Sequence, residues 1–138
     1  MSIIIAIAVL LLLVAIVAGA FFIRKRPRAI NTQKFQEQWR EMQKQLANKD
    51  TWKQAVVDAD KLLDEVLKKK KFAGKTMGER LTKAQRLISD NEGVWFGHKL
   101  RNRIESEPDA KLKESDVKQA LMGIRQALKD LGAFPDGK

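Results

Sequence analysis

The chain has 138 residues and a formal net charge of +10, all of it beyond Ile23, because residues 1–23 contain no ionisable side chain. The lack of cysteine and the single histidine, His98, exclude disulfides, thiolate zinc sites, cysteine nucleophiles and histidine-rich metal sites, while carboxylate-only metal sites stay open. The roughly 110 residues beyond the apolar start suffice for one domain with a modest core, and their charge favours polyanionic partners, either nucleic acid or anionic lipid headgroups.

An uncharged apolar segment opens the chain, from Ile3 to Ile23. Its length of about 20 residues matches the ~30 Å hydrocarbon core of a bilayer, which predicts a transmembrane anchor over residues 1–23. Four basic residues follow it at once, namely Arg24, Lys25, Arg26 and Arg28. By the positive-inside rule, this basic collar predicts a single-pass protein of the inner (plasma) membrane, with its amino terminus outside and its C-terminal domain in the cytoplasm.

Two alternatives to this topology stay open. Residues 18–20, Ala-Gly-Ala, resemble a cleavage site, so the segment can also be interpreted as a signal peptide. A signal peptide carries its positive charge before the apolar core, however, and here the order is reversed. The other alternative is an uncleaved anchor in the inverted orientation.

Residues 24–48 form the collar and a juxtamembrane helix, which Asn31 or Thr32 can cap and which ends near Asn48. Its apolar side chains recur at helical spacing and comprise Phe35, Trp39, Met42 and Leu46. One interpretation is a stalk helix that packs on the following domain. The other is an interfacial or self-associating helix.

The next segment predicts a core helix, because its apolar residues recur at i, i+3, i+4 and i+7. These residues are Trp52, Ala55, Val56, Ala59, Leu62, Leu63, Val66 and Leu67. Lys68 to Lys71 form a basic last turn that suits the helix dipole, and we expect Gly74 to supply the C-terminal cap.

A shorter helix is predicted after Thr76, which with Glu79 forms a T-x-x-E capping box. Its apolar positions are Leu81, Ala84, Leu87 and Ile88, and the polar run Ser89-Asp90-Asn91 ends it. A further helix is predicted from about Glu92 to Glu105, and Pro108 prevents this helix from extending further.

The last predicted helix is capped by Ser115 and ended by Gly132. Its apolar positions repeat at helical spacing and comprise Val117, Ala120, Leu121, Ile124, Ala127, Leu128 and Leu131. No stretch alternates as a half-buried strand does. The sequence therefore predicts an all-α protein, with an antiparallel bundle of about four helices over residues 49–132 and a flexible tail over 133–138.

The densest polar cluster lies in the segment from His98 to Ser106. His98, Arg101, Asn102 and Glu105 lie three or four residues apart and so share one face of the helix, away from a core face carrying Phe96, Gly97, Leu100 and Ile104. This combination can bind a phosphate or carboxylate. The alternative is structural: Arg101 and Asn102 tie the helix to its neighbours through Asp60 or Asp64, with His98 half-buried.

A family resemblance rests on residues 52–131, with WKQAVVDADKLLDEVLK, the loop GKTMGERL, VWFGHKLRNRI and a final amphipathic helix. This segment resembles small helical proteins of candidate-phyla bacteria, and its bundle is similar to HEPN domains. In those domains an Arg-Asn pair begins an R-x4-6-H motif. Active members are metal-independent ribonucleases whose Arg and His meet at a dimer interface, and other members only bind nucleotides or partners.

The match to this motif is incomplete. Arg101 and Asn102 match its start and the run 107–109, Glu-Pro-Asp, fits its end, but Ser106 occupies the histidine position. A serine cannot act as the general acid or base that an imidazole provides near neutral pH. His98 lies on the wrong side of Arg101 to substitute simply. The resemblance therefore implies a HEPN-like bundle without nuclease activity, whose Arg101 face binds RNA, a nucleotide or a twin subunit.

Two other features have both a functional and a purely structural interpretation. Lys68 to Lys71, with Lys75 and Arg80 nearby, can grip phosphates or the anionic membrane surface, or form a solvated helix end. Trp95 and Phe96 can stack on bases, or they can have a core or interface role.

The leading hypothesis from the sequence is a membrane-tethered, non-enzymatic and homodimeric binding module, with no cofactor and no metal. It contacts membrane lipids through the span and collar and holds an RNA, nucleotide or protein partner. The second hypothesis is a membrane-anchored ribonuclease that works despite Ser106. The third is a structural subunit of a membrane assembly, with the span and stalk as its interaction surfaces.

Overall fold

The computed structural model describes residues 2–25 and 29–135, and within these ranges the chain is all-helical. Its six α-helices are α1 Ser2–Lys25, α2 Thr32–Lys44, α3 Trp52–Lys69, α4 Met77–Ala84, α5 Asn91–Ser106 and α6 Glu114–Asp130. Two 3₁₀ turns, Gln45–Ala47 and Lys49–Thr51, connect α2 to α3. No strand occurs in these ranges, in agreement with the predicted all-α class.

Helix α1 is long and apolar enough over Ser2–Ile23 to cross a membrane, and none of its apolar window is buried by the rest of the described chain. Each of its large side chains is more than half exposed; Ile3, near the start, is 74% exposed and Ile23, near the end, is 70% exposed. Arg24 and Lys25 are its last residues, whereas Arg26 and Arg28 of the predicted collar lie outside the described residues.

Helix α2 begins where the sequence predicts, because the Asn31 side chain accepts a hydrogen bond from the Lys34 backbone N–H at 3.1 Å. Phe35, Trp39 and Met42 are buried in one hydrophobic core with residues of α3 to α6. The helix therefore packs on the domain as the stalk interpretation predicts, and these three side chains are not available to a lipid interface.

Helix α3 is the centre of the bundle and contacts α2, α4, α5 and α6. Every predicted core position in it is buried except Trp52, which is half-buried. Helix α2 runs antiparallel to it, since Gln45 bonds Asp58 near one end and Lys69 covers Phe35 at the other.

Helix α3 ends at the C-cap Lys70 and the left-handed Lys71 that follows it, not at Gly74, so the Gly74 prediction is wrong. Lys71 has φ 64°, and the N–H groups of Lys71 and Phe72 donate to the carbonyls of Lys68 and Leu67, as in a Schellman motif. Gly74 serves a close approach instead, because a Cβ there would lie 2.8 Å from the Cβ of Glu79.

The predicted capping box of α4 is confirmed in its first half. The Thr76 hydroxyl accepts from the Glu79 N–H at 3.2 Å, but the Glu79 carboxylate accepts from the Lys75 N–H rather than from that of Thr76. Helix α4 ends at Ala84, so the exposed Leu87 lies beyond it and is not a core residue as predicted.

Helices α5 and α6 form the most extensive pair in the bundle, and Gly97 and Gly123 allow their backbones to approach closely. A Cβ on Gly123 would overlap the carbonyl group of Gly93, and a Cβ on Gly97 would lie 2.9 Å from the carbonyl oxygen of Ala120. The pairs Gly93–Gly123 and Gly97–Ala120 also show that the two helices are antiparallel.

The sequence predicts the C-terminal end of α6 correctly but not its N-terminal cap. Its N-cap is Lys113, without a side-chain cap, so the prediction that Ser115 caps this helix is wrong. Gly132, with φ 79°, ends it as predicted, and the following Ala133 N–H donates to the carbonyl of Leu128. Ala133 and Phe134, which the sequence assigns to a flexible tail, are buried in the core, where Phe134 packs edge-on against Trp39.

Candidate functional site

The predicted polar face of α5 lies against the middle of α3. Leu100 and Ile104 face the core as predicted, and His98 turns toward α3, where it is 7% exposed. His98 is thus buried, not half-buried as the structural alternative expected. Of the five predicted binding residues, four belong to one polar network with Asp60 of α3: His98, Arg101, Asn102 and Glu105.

Asp60 is the anchor of this network and is 1% exposed. Its carboxylate is 3.0 Å from Nδ1 of His98 and 3.7 Å from Nε of Arg101. A buried carboxylate requires such partners, because an ion removed from water without them is costly. Residues 38 positions apart in the chain are therefore brought together by the packing of α5 on α3.

The hydrogen bonds assign the orientation of each side chain. Arginine only donates, so the 3.2 Å bond from Arg101 ends on the Oδ1 atom of Asn102. The amide nitrogen of Asn102 then faces Nε2 of His98 at 3.5 Å. Because a carboxylate only accepts, the Nδ1–H group of His98 is the donor to Asp60.

Arg101 connects this buried network to the surface. Its side chain is 30% exposed, and its Nη2 atom lies 3.1 Å from the carboxylate of Glu105, one helical turn away. Its Nε atom is buried and has no hydrogen-bond partner among the described residues. Arg101 therefore shares its charge between the buried Asp60 and the exposed Glu105.

Ser106 does not join the network. It is exposed at the last position of α5, and its hydroxyl donates to the backbone carbonyl of Arg103 at 3.3 Å. The fifth predicted binding residue is thus apart from the other four.

A second buried ion pair was missed by the sequence reasoning. Arg80 is 9% exposed and makes two bonds to Asp64, of 2.7 Å from Nε and 2.9 Å from Nη2. Its Nη1 donates to the Gly74 carbonyl at 2.9 Å. The position of Arg80 in the sequence could have predicted this ion pair. Arg80 falls between Met77 and Ala84 on the apolar stripe of α4, where a cation needs a carboxylate partner. Arg80 is consequently not available for phosphates.

Trp95 lies beside the network and is half-buried, with its ring edge-on to the His98 imidazole at 5.9 Å between centroids. A Cβ on Gly78 of α4 would be 3.6 Å from the same indole. Trp95 therefore fills the space between α4 and α5, in agreement with its core interpretation.

The arrangement restricts the chemistry available at this site. Both imidazole nitrogens of His98 are occupied, and its burial keeps substrates from them. Proton transfer to a reacting group requires an imidazole within hydrogen-bond reach of that group. The exposed groups are those of Asn102, Glu105 and part of Arg101, which suit binding. Comparison of the chain with known protein families, curated proteins and solved structures gives no match.

Proposed function

We propose that this chain is a single-pass protein of the inner membrane, whose helical domain lies in the cytoplasm and acts as a non-enzymatic binding module. The observation that carries the proposal is the 22-residue apolar stretch Ser2–Ile23 of α1, whose apolar window is not buried by the described chain. Such a surface is unfavourable in water by about 25 cal/mol for each Å² exposed, and a bilayer removes that cost.

The distribution of charge supports the orientation. Arg24, Lys25, Arg26 and Arg28 follow the span directly, whereas residues 1–23 carry no ionisable side chain. Basic residues within this distance of a span are retained on the cytoplasmic side. The same order of charge argues against a cleaved signal peptide.

The internal bonding of the α5 network supports a binding role over catalysis. His98 is buried between Asp60 and Asn102, and Arg101 is held by Glu105 and Asp60. We propose that the bundle is HEPN-like and dimeric, and that the exposed side of Arg101, Asn102 and Glu105 contacts RNA, a nucleotide or a twin subunit. This part of the proposal rests on the motif resemblance and on the exposure of these groups.

Topology is tested with the full chain carrying a C-terminal reporter, either alkaline phosphatase, which is active only outside the cytoplasm, or green fluorescent protein, which fluoresces only inside. We expect fluorescence without phosphatase activity, alkali-resistant membrane association and an intact mass that shows no cleavage after Ala20. Moving the collar charges to the amino terminus should invert the result. Phosphatase activity of the wild type, or release of a cleaved soluble product, would refute the proposal.

Binding and catalysis are separated with the full chain in nanodiscs of neutral lipid, using mixed-sequence labelled RNA. We expect RNA binding without cleavage by the wild type, and weaker binding by Arg101→Ala than by Arg103→Ala. These two variants remove one charge each from the same helix. Cleavage by the wild type that Arg101→Ala abolishes would favour the ribonuclease hypothesis. Gain of cleavage in Ser106→His would support a HEPN-like site.

A further inference from the structure

The antiparallel pairing of α2 and α3 brings the end of α3 beside the start of α2. The Nζ atom of Lys69 lies 4.9 Å from the ring centroid of Phe35, which is in the first turn of α2. Seven residue steps separate Lys25, the last residue of α1, from Thr32, the first of α2. At ~3.6 Å per residue, the two helices cannot be more than about 25 Å apart at these ends.

The end of α3 carries a concentration of positive charge that the described chain leaves largely unneutralised. We call residues Lys68–Lys71 and Lys75 the basic end. Lys68 is 3.4 Å from Asp64, a carboxylate that also serves Arg80, and Lys69 covers Phe35. The side chains of Lys70, Lys71 and Lys75 form no hydrogen bond or ion pair with the described residues.

We infer that the basic end binds the anionic phospholipid headgroups of the membrane that holds α1, and so fixes the bundle with this end toward the bilayer. The inference rests on the proposed membrane anchoring and adds a second contact to it. Clusters of four or more lysines near a span are attracted to anionic lipid by about 1 kcal/mol each. The chain's own connectivity keeps this cluster within reach of headgroups.

The short connection between α1 and α2 favours lipid over RNA as the ligand of the basic end. The headgroups are held close to the basic end by the short connection between α1 and α2, so their effective concentration is high, whereas RNA must arrive from solution. Lys49 and Ala47 lie at the opposite end of α2, so the structure also supplies a distal reference position.

The chain contains no cysteine, so single labels can be placed without background. The exposed Ala73 marks the basic end and the exposed Ala47 the distal end. Ala73→Cys and Ala47→Cys full-length proteins, each carrying a fluorophore, are reconstituted in nanodiscs of phosphatidylcholine alone or with phosphatidylglycerol. Lipids with a quencher on the headgroup then report proximity. Sedimentation of the same proteins with alkali-washed liposomes tests insertion separately.

We expect quenching at position 73 to exceed that at position 47 in the anionic discs, and to fall when salt is raised, because the Debye length shortens. Changing Lys70, Lys71 and Lys75 to Gln should remove the excess, since three lysines together correspond to about a hundredfold in association. The matched change of Lys49, Lys111 and Lys113 to Gln removes the same charge elsewhere and should leave the excess intact.

Four results would overturn the inference. Equal quenching at the two positions in inserted protein rejects it while leaving membrane anchoring in place. If both triple variants lose the excess quenching equally, the attraction to anionic lipid is a general effect of net charge. If the Lys70, Lys71 and Lys75 variant loses RNA binding but keeps its quenching in anionic discs, the basic end is an RNA surface instead. Failure of the chain to insert rejects the anchoring and this inference together.

Discussion

Replacing Gly123 by alanine tests the close packing of α5 on α6. A Cβ at this position would overlap the carbonyl group of Gly93 and lie 2.8 Å from its Cα. These are backbone atoms in the first turn of α5, so no side chain can rotate to make room. The two helices must separate, and the contacts around Val94, Ala120 and Ile124 must loosen with them.

Overpacking of a core by one methyl group costs about 1–3 kcal/mol, and a clash between backbones lies at the upper limit. Alanine also gains up to about 1 kcal/mol over glycine in helix propensity, which opposes the loss. We therefore expect Gly123→Ala to lower the free energy of unfolding by about 2–3 kcal/mol, a large part of the stability of a small domain.

Gly78→Ala is the matched control, because a Cβ there would meet the Trp95 ring at 3.6 Å, an ordinary contact. It should be neutral or stabilise the bundle by up to about 1 kcal/mol. Urea unfolding of the full chain in detergent, followed by tryptophan fluorescence, reports the bundle alone, since Trp39, Trp52 and Trp95 all lie outside α1. A Gly123→Ala protein as stable as wild type, or equal losses for both variants, would refute the reasoning.

Three further predictions use the same unfolding assay. Lys71→Gly should stabilise the bundle by about 1 kcal/mol, because φ 64° suits glycine; no gain would contradict the Schellman geometry. Asp60→Ala should cost about 3 kcal/mol by leaving the buried His98 N–H without its acceptor, and a loss below ~1 kcal/mol would show that the network contributes little. Burial raises the pKa of Asp130, but hydrogen bonds from the Ser89 N–H and hydroxyl outweigh it, so the pKa lies below its usual value. The charged carboxylate then stabilises the fold above about pH 4, and this contribution disappears as the pH falls through the lowered pKa. Asp130→Asn should be less stable than wild type at pH 7, with the difference shrinking in acid; a constant difference down to pH 2 would contradict the assignment.

The candidate site shows how far residue spacing can predict a polar network. Spacing of three and four residues placed His98, Arg101, Asn102 and Glu105 on one helix face, and the structure joins them. The sequence also proposed Asp60 or Asp64 as partners of this face, without choosing between them. Asp60 faces α5 and Asp64 faces Arg80 of α4, because successive turns of α3 meet different neighbours. That choice depends on helix rotation and crossing, which one-dimensional spacing does not contain.

The sequence by itself determined the features that depend on neighbours along the chain. The helical periodicity of α3 and α6, the Asn31 and Thr76 caps and the Gly132 end all arise from contacts within four or five residues. The apolar composition of α1 needs no packing partner to be recognised.

Only the tertiary structure decided which cap ends α3 and which polar groups are buried. Phe72 packs against the core, and this holds Lys71 in a left-handed conformation that local propensity would give to Gly74. His98 is buried because α5 packs on α3 at Asp60, while Gly97 and Gly123 separately permit the close approach of α5 to α6. These outcomes follow from distances between helices, and such distances are set by the packing of the whole core.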